Sequence, residues 1–194
     1  MRQLGWYRRL PVPFMGWNPA IFLQIDERKS VGKMANCVLI DKVDENRNSA
    51  WHKVKKDATT VCSELGFQSV IWHDQAHGAF ARIPDAFRGI HELRRLVGNG
   101  EWILLQYPHH PLIVQMTMKA IEKLKKKGCK LLILIHDLCY LRGVNYAMSR
   151  IRDMREFEVD VLNHADAIIV HNDSMKDALK KCWRYEEDGL PEFL

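Results

Sequence analysis

The stretch LLILIHDLCYLR (131–142) runs through five apolar residues and then delivers His136, Asp137 and, a few positions on, Arg142. An imidazole and a carboxylate at the end of an apolar run suit proton transfer with a bound hydroxyl, metal ligation, or a plain polar strand end meeting solvent. In the last case Asp137 caps the following segment and orients His136. The Arg142 guanidinium adds a group that pairs either with a phosphate or with Asp137. Similar endings recur along the chain: His73-Asp74 after SVIW, Tyr107-Pro108-His109-His110 after WILLQ, and His171-Asn172 after DAIIV. No H-E-x-x-H or comparably tight ligand spacing is present, so no metal is expected.

These residues need a frame that brings them to one edge. Apolar runs at 35–41, 67–72, 101–106, 129–135 and 166–170 read as strands. Between them lie helical stripes. The first has Ala50, Val54, Ala58, Val61 and Leu65 inward, with Ser49 as N-cap and Gly66 just past its end. A second opens at Asp85 with Phe87, Ile90, Leu93 and Val97 inward, and a third starts on Pro111 with Ile113, Met116, Ala120 and Leu124. A fourth spans about 148–163 and buries Ile151, Met154, Phe157 and Val161, and a last one is capped by Asp173 and reaches about Lys181. Continuous apolar strands alternating with helices predict an α/β fold, a doubly wound, mostly parallel Rossmann-like sheet of about five strands. In such a sheet, ligands bind beyond the carboxyl ends of the strands, where every polar ending above would gather.

Composition narrows the function. The chain of 194 residues carries 29 Lys and Arg against 24 Asp and Glu, but residues 1–33 hold six of the basic residues and two of the acidic ones. The remainder is nearly balanced, so the basic pI does not indicate nucleic-acid binding. The tract KLKKKGCK suits a solvated helix end, where the dipole favours lysine. Five scattered cysteines without C-x-x-C fit reduced thiols in a cytosol. No run approaches the roughly 20 apolar residues of a membrane span. The segment LPVPFMGWNPAIFLQI has three prolines and no cleavage site, so it is not a signal peptide, though it leaves open a peripheral attachment to the cytoplasmic face of a membrane. Residues 1–33 lack periodicity and are expected to be an extension or an over-long start before Met34. The domain proper is expected at 34–181, with 182–194 a short tail without a strand. G-x-G-x-x-G, the P-loop pattern and G-x-S-x-G are all absent, which argues against dinucleotide dehydrogenases, P-loop NTPases and α/β-hydrolases.

NRNSAWHKVKKDATTVCSELGF, LLQYPHHP, LLILIHDLCYLR and NHADAIIVHNDSMKDAL occur in that order and, over about residues 36–181, resemble the N-terminal half of bacterial galactofuranosyl- and glucosyltransferases of surface polysaccharide and glycoprotein assembly. The resemblance implies a cytoplasmic enzyme of GT-B architecture, two Rossmann-like domains facing across a cleft. It would use a UDP-sugar donor and a glycan acceptor, and no bound cofactor. It further implies that Asn46, Ser49, Lys53, Tyr107, His109, His136, Asp137, Arg142, His171 and Asn172 face the cleft; of these, His136 or Asp137 has the chemistry to accept the acceptor's proton. The tail after Lys181 does not continue the family pattern. The expectation is therefore a chain ending before the donor-binding domain, with little transfer of its own. Such a half would expose apolar surface, favouring self-association or a separate donor-domain partner. The alternative function is a non-catalytic Rossmann-like subunit that binds or regulates an intact transferase.

Overall fold

The computed structural model describes residues 37–43, 50–73, 79–142, 153–183 and 192–193. Strands and helices alternate: β1 (Cys37–Val43), α1 (Ala50–Glu64), β2 (Gln68–His73), α2 (Ala79–Leu96), β3 (Trp102–Tyr107), α3 (Pro111–Lys125), β4 (Lys130–Ile135), α4 (Met154–Asn163), β5 (Ala167–Ile169), α5 (Asp173–Trp183) and β6 (Glu192–Phe193). The fold is α/β. Its sheet has the order β2-β1-β3-β4-β5-β6, and every neighbouring pair is parallel. The count exceeds the expected five because Glu192 and Phe193 pair with Ala167 and Ile168 of β5. The tail expected to carry no strand thus supplies one, too short to show as an apolar run.

The two faces of the sheet are told apart at β3. Ile103, Leu105 and Tyr107 join a buried cluster with Val70 and Trp72 of β2, Leu131, Ile133 and Ile135 of β4, and the inward residues of α2 and α3. Leu104 and Gln106 alternate with them onto the opposite face, as strand pleating requires. There the Gln106 amide donates to Thr59 of α1, while on the first face the Tyr107 hydroxyl donates to Glu158 of α4. The end of β3 thus meets a helix on each side, α1 through Gln106 and α4 through Tyr107.

Helix ends follow local rules. Gly66 adopts φ +82°, and Phe67 N–H donates to Cys62 O at 2.9 Å, closing α1 in a left-handed C-cap that a side chain would strain. Pro111 sits at the first position of α3, and the His110 Nδ1 accepts from Leu112 N–H. Asp153 caps α4 by accepting from the N–H groups of Arg155 and Glu156.

Three helical expectations need correction. The buried stripe of α1 is Lys55, Ala58 and Cys62, while Val54, Val61 and Leu65 are only half-buried. Helix α2 begins at Ala79, before Asp85, and turns Ala86, Ile90, Leu93 and Val97 inward, which leaves Phe87 61% exposed. Helix α4 starts at Met154 and buries Glu158 where an apolar residue would be expected. Ile151 and Ser49 lie outside the described residues. No helix among the described residues is long and apolar enough to cross a membrane. Cys62, Cys129 and Cys139 are buried.

Candidate functional site

Strand order reverses at β1: the chain passes from β1 to β2 on one side and returns to β3 on the other. The carboxyl ends of β1 and β3 therefore flank the switch point at which open α/β sheets bind ligands. The loop after β1, with Asn46 and Ser49, lies outside the described residues. The loop after β3 begins with the cis peptide Tyr107-Pro108. Lys55 of α1, buried against it, donates from Nζ to Pro108 O at 3.4 Å.

From that helix a chain of polar groups crosses the sheet edge. The Thr59 hydroxyl donates to Lys55 O at 3.0 Å, so its oxygen is the acceptor for Gln106 Nε2, also at 3.0 Å. That fixes the Gln106 amide with Oε1 toward His136 Nε2, 2.7 Å away, and makes this nitrogen the protonated one. A neutral His136 then accepts at Nδ1 from His171 Nε2–H at 3.3 Å, the two rings tilted 36° apart. Burial, followed by the repulsion of His171 and Lys55, pushes the His136 pKa down to about 2, and burial also lowers that of His171. Both rings are held neutral at physiological pH, with their hydrogen-bond directions assigned. His136 has both nitrogens engaged within the protein.

Beyond β4 the chain makes a compact turn. The Asp137 Oδ1 accepts from Leu138 N–H at 2.8 Å, and its Oδ2 pairs with the Arg142 guanidinium at 2.8 Å. The Arg142 N–H returns to Leu138 O at 3.2 Å. Under the turn lies Glu158, whose carboxylate accepts from Tyr107 Oη–H, Cys139 N–H and Tyr140 N–H. Burial raises its pKa, and these donors oppose the rise.

The structure thus pairs His136 with His171 and Asp137 with Arg142. It places other expected residues elsewhere. Tyr107 and His109 are interior, 1% and 2% exposed, instead of lining an open edge. Tyr107 is the last residue of β3 and shares the inward face of Ile103 and Leu105, so its hydroxyl is turned to Glu158. Asn172 is the N-cap of α5, its Oδ1 accepting from Met175 N–H, a role expected of Asp173. Lys53 stands exposed in the first turn of α1. Lys55, Thr59, Gln106 and Glu158 were not anticipated. Gln106 had a signal, a lone amide in the apolar run WILLQY, whereas Lys55 and Glu158 look like ordinary helix-surface charges in sequence.

Chemically, this edge offers two neutral imidazoles in series, a carboxylate–guanidinium pair and a buried lysine. Among the described residues no three His, Cys, Asp or Glu side chains are grouped to hold a metal ion. No curated protein matches the chain. Residues 37–182 match the glucosyltransferase 3-like N-terminal domain, from the first residue of β1 nearly to the end of α5. The chain therefore belongs to the glucosyltransferase 3-like N-terminal domain family.

Proposed function

We propose that this domain is the acceptor-side wall of a two-domain glucosyltransferase of GT-B architecture, a doubly wound sheet working in the cytoplasm opposite a domain that holds a UDP-sugar. In the reaction, the acceptor hydroxyl oxygen bonds to the anomeric carbon, the bond from that carbon to the nucleotide's phosphate oxygen breaks, and the hydroxyl proton passes to a base. On this side of the cleft the groups suited to meeting the acceptor are His171 and the Asp137–Arg142 pair. His136 suits positioning better than proton acceptance, because burial disfavours its cation and both its nitrogens are engaged. The observation that carries the reading is the directional chain from Lys55 O through Thr59, Gln106 and His136 to His171 at the carboxyl edge of a parallel sheet. A structural core has no need to fix the tautomers of two neighbouring histidines, whereas a site that handles a hydroxyl proton does.

The test is binding of the full chain to an array of oligosaccharides and glycopeptides, with UDP-glucose titrated separately. Saturable glycan binding that is lost in His171→Ala, with no competition from UDP-glucose, is the expected result. Absence of saturable glycan binding, or binding indifferent to His171→Ala, would overturn the proposal.

A further inference from the structure

Glu158 is a charged residue only 1% exposed, in the middle of a helix, and it touches two separate parts of the chain. Its Oε1 accepts from the Tyr107 hydroxyl at 3.0 Å, at the end of β3, and from Cys139 N–H at 2.8 Å. Its Oε2 accepts from Tyr140 N–H at 3.1 Å. The Cys139 thiol is a further partner. A buried carboxylate is an expensive way to fill space, and well-packed apolar residues do that at no loss of stability. What an apolar residue cannot do is hold two successive backbone amides in fixed directions.

Those two amides belong to the turn that carries Asp137 and Arg142. Its Leu138 and Arg142 N–H groups are satisfied by Asp137 Oδ1 and Leu138 O. The turn is thereby tied from above by Asp137 and from below by Glu158. Leu138 and Cys139 are buried in it, yet Tyr140 and Leu141 stand 44% and 47% exposed. Large apolar side chains left in water on a tightly bonded turn have their ordering cost met before any ligand arrives. An aromatic ring suits the C–H face of a sugar, and the adjacent Asp137–Arg142 pair suits its hydroxyls.

We propose that Glu158 is a positioning residue: it holds Leu138–Arg142 in the shape that presents Tyr140 and Leu141, beside Asp137 and Arg142, to the sugar ring of the acceptor. The sugar's identity as acceptor rests on the glucosyltransferase reading above, while the clamp itself does not.

The experiment compares the full chain with Glu158→Gln by hydrogen exchange and by binding to the oligosaccharide giving the strongest signal on the array. In the variant the Cys139 and Tyr140 amides should exchange at least about tenfold faster, since each loses an ionised acceptor. The β3 and β4 amides should keep their protection. Glycan affinity should fall at least about tenfold in Glu158→Gln and in Tyr140→Ala, and persist in Tyr140→Phe. Should Glu158→Gln lose β3 and β4 protection as well, Glu158→Asp replaces it, keeping the charge but shortening the reach. Unchanged exchange at Cys139 and Tyr140 would overturn the clamp. Faster exchange with unchanged affinity would overturn the positioning role. If the wild-type chain binds no glycan, the glucosyltransferase reading falls and takes the sugar-presenting role with it, while the exchange comparison still decides the clamp.

Discussion

Acidification should destabilise this domain through His136. In the unfolded chain the imidazole takes up a proton below its ordinary pKa of 6.5, whereas in the folded chain burial, His171 and Lys55 keep it neutral down to about 2. A depressed folded pKa contributes stability that is fully present above 6.5 and is lost progressively as pH falls toward 2. One proton costs about 1.4 kcal/mol per pH unit across that window, so lowering the pH from 7 to 4.5 should remove about 2.5 kcal/mol through this residue. That is a large part of the stability of an ordinary domain, roughly 5–15 kcal/mol. His171 acts in the same direction, its pKa being lowered by burial. The assay is urea unfolding followed by tryptophan fluorescence at several pH values, on the wild type and on His136→Gln. The carboxamide can donate to Gln106 and accept from His171 but does not titrate. Other titrations cancel in the difference, so the wild type should lose about 2.5 kcal/mol more than the variant between pH 7 and 4.5. Parallel pH curves for the two proteins would refute both the burial of a neutral His136 and the hydrogen-bond directions derived from it.

Two further outcomes test the packing. A Cβ on Gly89 would lie 2.9 Å from Trp72 Cε3, so Gly89→Ala should cost about 1–3 kcal/mol by pushing α2 off β2, measured as a lower urea midpoint with altered tryptophan emission. Leu93→Ala, in the middle of the α2 contact, should cost about 2–5 kcal/mol, whereas Phe87→Ala on the exposed side should stay within about 0.5 kcal/mol. Equal losses from these two would mean that the inward stripe of α2 is wrongly assigned.

Strand positions were legible because a strand buried on both faces must be apolar along its whole length, and LLILI and WILL have no other good use. The misplaced side chains trace to phase. Stopping β3 at Gln106 puts Tyr107 in a loop, but with one more strand residue the alternation turns it inward beside Ile103 and Leu105. In α1 the polar type of Lys55 hides its membership of the buried stripe, since its tip is satisfied by the Pro108 carbonyl, 53 residues away in sequence. Glu158 is hidden for the same reason, its donors coming from positions 107, 139 and 140. Of the expected site, a common edge for His136 and His171 followed from reading strand ends. Their order of donation did not, because it depends on a hydroxyl and an amide from two other elements.

Gln106 and Tyr107 stand back to back on β3, the amide bonded to α1 on one face and the phenol to α4 on the other. Sliding β3 by a single residue against its neighbours would exchange those faces. The phenol would then meet Thr59 and His136, the amide would meet Glu158, and Lys55 would lose its carbonyl at Pro108. An all-apolar strand has many nearly equivalent offsets, so this pair works as a key that admits one alignment of the sheet between its helices. The residues that shape this edge thereby also decide which of the competing compact states the chain can occupy.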